Sequence, residues 1–64
     1  MKVGDLVMFS DINDRYAKWF YGEFGVVLSA NNGHCRVRWN RPVEYHGRST
    51  NVSDFSQKRF TSVD

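Results

Sequence analysis

The chain has 64 residues, ten aromatics, one cysteine and a formal charge of +2. That length makes one domain over residues 1–64, with a thin core that covers only about 60% of the surface of the unfolded chain. No apolar run reaches the length of a membrane span and no apolar leader opens the chain, so the expectation is an intracellular, cytoplasmic protein with no membrane partner. A lone Cys35 cannot form an internal disulfide, which agrees with a reducing compartment. Charge is unevenly placed. Residues 1–32 carry three cations against four acids; residues 33–64 carry six against three, and five of those six are arginine.

Val3 to Phe9 reads as a first strand, fed by a Gly4-Asp5 turn, with Val7 and Phe9 on its buried face. Ser10 to Gly22 is a long first connection. Its Ile12, Tyr16 and Trp19 have helical spacing and Asp11 could cap a short helix, but an irregular loop over one end of the core is the favoured reading, because so short a helix is marginal alone. Glu23 to Ala30 forms the second strand, with a bend or bulge at Gly25. Asn32-Gly33 suits a two-residue turn. The register it sets pairs Ala30 with Cys35, Leu28 with Val37 and Val26 with Trp39, and puts Arg36 and Arg38 on the opposite face. A three-residue loop would mix the faces; a four-residue loop would keep the pairing.

The third strand, His34 to Asn40, is expected to end at Arg41-Pro42, since proline donates nothing to a ladder. A loop over Val43 to Gly47 follows, then a short fourth strand, Arg48 to Val52. A single 3-10 turn is expected at Ser53 to Ser56 with Phe55 turned inward, and a last strand over Lys58 to Val63 with Phe60 in the core.

Taken in order, Gly4-Asp5-Leu6-Val7, Gly22-Glu23-Phe24-Gly25-Val26-Val27, the Asn-Gly hairpin, Val37-Arg38-Trp39 and Asp54-Phe55 before Arg59-Phe60 resemble an SH3-like small barrel of the KOW/Tudor-like kind, as encoded by bacteria and their phages. The resemblance implies an all-β, five-stranded barrel that acts as a binding module. It also implies ligands among RNA, DNA, ribosomal partners or peptides.

The residues point the same way. Arg36, Arg38, Arg41, Arg48, Lys58 and Arg59 could form a basic face that neutralises phosphates, with Tyr45 or His46 stacking on a base. The bland alternative is a solvated face that protects strand edges. A second reading is a protein-interaction adaptor using Tyr16, Trp19 and Tyr21, with Asp11 and Asp14 nearby to suit a cationic ligand. The bland alternative there is that Trp19 caps the core. Trp39 reads as core. His34, Cys35 and His46 lack the partners of a structural zinc site, so no metal or cofactor is expected. Asn51-Val52-Ser53 fits a glycosylation pattern by chance. No nucleophile stands with a base and an orienting group, so an enzyme is not expected.

Overall fold

The structure is a computed structural model that describes residues 1–63. Its elements are β1 (Leu6–Phe9), α1 (Ala17–Phe20), β2 (Phe24–Asn31), β3 (His34–Tyr45), β4 (Arg48–Ser56), a 3-10 turn (Gln57–Arg59) and β5 (Phe60–Ser62). The strands form one antiparallel sheet in the order β4-β3-β2-β1-β5. No ladder joins β4 to β5 among the described residues, so the sheet is not closed into a barrel. It nevertheless coils around one core. Phe9 on β1 meets Phe20 of α1, Phe55 of β4 and Phe60 of β5 at ring-centroid distances of 6.0, 5.1 and 5.4 Å. Val7, Val27, Val37 and Trp39 complete its floor.

The central hairpin turns at Asn32-Gly33, both at positive φ, and Ala30 pairs with Cys35 as the register argument requires. The same register pairs Ser29 with Arg36, and beyond Ser29 the expectation fails on β2. Leu28 is bulged out of the ladder, so Val27 faces Val37, Val26 faces Arg38 and Gly25 faces Trp39. Leu28 is exposed and Val27 fully buried, the reverse of the expected faces. Strand β3 keeps the expected alternation, with Cys35, Val37 and Trp39 inside and Arg36 and Arg38 outside. The physical reason is the run Val26-Val27-Leu28, apolar at every position, which carries no alternation to choose its phase. The bulge therefore sits at Leu28 rather than at Gly25. Gly25 has a different role: it is buried where β3 leaves no room for a Cβ.

Three boundaries also differ. Arg41-Pro42 does not end β3. A register shift between Arg38 and Val43 lets the strand carry both residues outward and pair again, Val43 with Thr50 and Tyr45 with Arg48. The segment Val43 to Gly47 is consequently not a loop but the arm and tip of a second tight hairpin, turning at His46-Gly47 with φ of 51° and 74°. Strand β4 continues through Ser53 to Ser56, where a turn was expected, and the 3-10 turn comes at Gln57–Arg59, with Ser56 Oγ accepting from the Lys58 N–H. Lys58 and Arg59 therefore lie in that turn and not on β5. The first connection is mostly irregular, as favoured, with one short helix; Ile12 faces solvent.

A Cβ on Gly25 would overlap Val37 Cγ1 and lie 2.7 Å from the Arg38 carbonyl oxygen, a backbone atom held in the ladder. Gly25→Ala is therefore expected to lower stability by roughly 2 kcal/mol, the scale of overpacking a tight core. A fall in the urea midpoint at unchanged slope would register it; an unchanged midpoint would refute the close-packing argument.

Candidate functional site

The first connection is closed at its neck. Phe9 N–H donates to the Glu23 carbonyl (3.0 Å) and Gly22 N–H to the Phe9 carbonyl (2.9 Å), so residues 10 to 21 form a compact loop. Within it Asp14 accepts from the Tyr16 N–H at 2.7 Å and starts the turn that becomes α1. One turn of helix then spreads its side chains. Phe20 goes into the core, Tyr16 and Trp19 go to its margin, and Arg15 and Lys18 point to solvent.

The margin is met by the second hairpin. Tyr45 lies 5.7 Å from Tyr16, 5.0 Å from Trp19 and 5.5 Å from Phe20. His46, at the hairpin tip, lies 4.6 Å from Trp19 and 4.4 Å from Tyr45. Two cations cover this ledge. Lys18 Nζ sits 4.4 Å over the Trp19 ring and Arg15 Cζ 5.3 Å over the Tyr16 ring. Arg48 stands across the ladder from Tyr45. A shallow cleft of about 400 Å³ opens between Arg15, Tyr16, Lys18, Trp19 and His46. Burial among the rings pushes the Tyr45 phenol above its ordinary pKa, so its hydroxyl stays neutral at pH 7.

Three of the six cations of the expected basic face are held in ion pairs. Arg36 is held by Asp54 through two hydrogen bonds (2.8 and 3.2 Å), Arg41 by Glu23 (3.1 and 3.3 Å), and Arg59 by Asp11 (2.6 Å) and Asp14 (2.7 Å). The pairing also raises the pKa values of Arg36 and Arg41, first through the hydrogen bond and then through the charge of the partner. Arg38, Arg48 and Lys58 make no ion pair among the described residues. Around Arg38 the outer face of the sheet is apolar rather than basic: its ladder partners are Val26 and Val52, and Leu6, Phe24, Leu28 and Val52 are each about 40% exposed.

Of the expected aromatics, Tyr16, Trp19, Tyr45 and His46 come together, while Tyr21 points away and is 53% exposed. Trp39 is core, stacked on Phe20 at 5.1 Å with its Nε1 donating to Ser53 Oγ at 3.0 Å. Sequence reasoning missed Arg15 and Lys18 as site residues. Their signal was present in the alternation Arg15-Tyr16 and Lys18-Trp19, each cation beside an aromatic, but local charge was counted against Asp11 and Asp14. Those two acids pair with Arg59, and Asp14 also accepts from the Tyr16 N–H. Among the described residues no group of three or more His, Cys, Asp and Glu is placed to hold a metal ion, and no helix is long and apolar enough to cross a membrane.

Comparison with family models, with curated proteins and with solved structures finds no match to this chain.

The Asp11 carboxyl is held below the usual carboxylate range, first by the Asn13 backbone N–H and then by Arg59; Asp54 is held low by Arg36. A carboxyl that titrates lower when folded adds stability above its unfolded pKa and loses it as pH falls through the folded value. Thermal stability is therefore expected to hold from neutral pH to about pH 5 and to fall below about pH 4. Asp11→Asn is expected to flatten that fall. Melting curves across the range measure it, and an acid limb identical in the variant would remove Asp11 from the account.

Proposed function

We propose that this chain is a non-enzymatic SH3-like small-barrel module of the cytoplasm that binds nucleic acid, RNA or DNA, with phosphates held by cations at the loop–hairpin ledge. The fold reading draws on three features. Strands β1 to β4 pair antiparallel in succession, β5 returns to β1, and a 3-10 turn precedes the last strand.

One observation carries the functional reading. Arg15 and Lys18 lie over Tyr16 and Trp19 with no carboxylate among the described residues paired to either, while Asp11 and Asp14 of the same loop are engaged by Arg59. A cation resting on a ring is available to a phosphate at the cost of one weak contact, about 0.5–1 kcal/mol at an exposed site. An arginine already bridged to a carboxylate must break that bridge first. The contact surface is thus shifted from the expected Arg36, Arg41 and Arg59 to Arg15, Lys18 and Arg48. The adaptor reading has less behind it, because Asp11 and Asp14 are both engaged by Arg59 and Tyr21 stands apart from Tyr16 and Trp19. Against catalysis, the Cys35 thiol is pushed up in pKa by burial and then by the Asp54 charge, which keeps it protonated and unreactive.

Binding through three cations gives a slope of log affinity against log salt of roughly −2 on a single strand. Arg15→Glu combined with Lys18→Glu should weaken binding at least about tenfold, whereas Arg38→Glu on the apolar outer face should change it less than about threefold. Fluorescence anisotropy with labelled oligonucleotides over a salt series measures both. Absence of binding to single-stranded or duplex nucleic acid at low salt would sink the proposal.

A further inference from the structure

The indole of Trp19 is held in place but not put away. Tyr45 meets it at 5.0 Å with the rings nearly perpendicular, His46 at 4.6 Å and Tyr16 at 6.2 Å. Tyr45 is itself locked against the buried Phe20, and His46 is fixed by the tight turn that requires its positive φ. The ring therefore has little rotamer freedom left to lose on binding. It also borders two clefts, one of about 400 Å³ shared with Arg15 and His46 and one of about 430 Å³ shared with Arg41 and Pro42. Lys18 reaches both.

From this we infer that Trp19 is the stacking platform for a single unpaired base, with Lys18 as a displaceable cover that moves from the ring to the strand's phosphate. The inference rests on the nucleic-acid reading above and adds what that reading leaves open: which part of the ligand is recognised. The Lys18 ammonium lies over the indole, and no carboxylate among the described residues pairs with it. A strand brings the missing anion and a flat π-surface together. The ammonium exchanges the weaker cation–π contact for a phosphate, and the vacated ring takes the base. The faces of bases in a duplex are already stacked on their neighbours. A half-buried ring at the back of a shallow cleft can be reached only by a base turned out of a helix, which selects a single strand. Stacking on a ring is open to every base, so the site is tolerant of sequence.

The experiment uses the full chain and its own tryptophan emission. Trp39 is 3% exposed and supplies a constant background, so a change on binding reports Trp19. The probes are a short oligodeoxycytidylate, the matching oligocytidylate, a duplex of equal length and inorganic polyphosphate, which has the charge and no bases. The expected result is quenching by either single strand, with affinity about tenfold above that for polyphosphate and for the duplex. Trp19→Ala should lose the quenching and about tenfold in single-strand affinity; Trp19→Phe, which keeps a flat ring, should retain most of that affinity. Far-UV circular dichroism and melting of both variants exclude unfolding as the cause. Binding to polyphosphate and single strand alike, without quenching, would overturn the inference while leaving the phosphate reading standing. Failure to bind any of the four probes would overturn both.

Discussion

Phe20 is the contact on which the two halves of the molecule depend. It is buried at the end of α1, stacked on Trp39 of β3 and edge-on to Phe55 of β4. Burying a ring of this size stabilises a small chain substantially, because so little other apolar surface is available to it. The same contact sets geometry. It drags residues 10 to 21 across the open side of the coiled sheet and so brings Tyr16 and Trp19 against Tyr45 and His46. Core and candidate site are therefore one aromatic assembly, deeper at Phe20 and Trp39, shallower at Trp19 and Tyr45.

Electrostatics divides along the same line. The acids at the start of the loop hold Arg59 of the 3-10 turn, which ties the loop to that turn. Asp54 and Glu23 hold Arg36 and Arg41 across neighbouring strands. Such exposed pairs contribute little to stability. Their larger effect is on the surface field: they remove charge from the arginine-rich half and leave unpaired cations beside the aromatics. A modest net charge of +2 is thereby compatible with a locally basic edge.

The sheet reaches its shape through irregularities. The bulge at Leu28 changes the inward-facing phase of β2 so that Gly25 and Val27, not Val26 and Leu28, face the core. The longer shift between Arg38 and Val43 swings Arg41 and Pro42 outward and lets β3 resume beside β4. Without the second, Tyr45 and His46 would not arrive beside α1. Both add local twist to a short sheet, which helps five strands wrap one core without closing.

The sequence by itself determined what local chemistry determines. Asn32-Gly33 specified a turn, the alternation Cys35-Arg36-Val37-Arg38-Trp39 specified the two faces of β3, and strand-forming segments without a long helical period specified an all-β fold. It could not determine the phase of Val26-Val27-Leu28, because a run apolar at every position satisfies either register; the bulk of Val37 against Gly25 decided that. Nor could it show β3 passing through Pro42, since the register shift that accommodates the proline depends on β4 being there to resume pairing. The His46-Gly47 turn lacked the asparagine that signals a hairpin. The site was half legible: its aromatics could be named, but which cations join them could not. Ion pairing between residues such as Arg59 and Asp11, 48 positions apart, exists only once the chain has folded. That pairing, rather than the number of arginines, decided where unpaired positive charge remains.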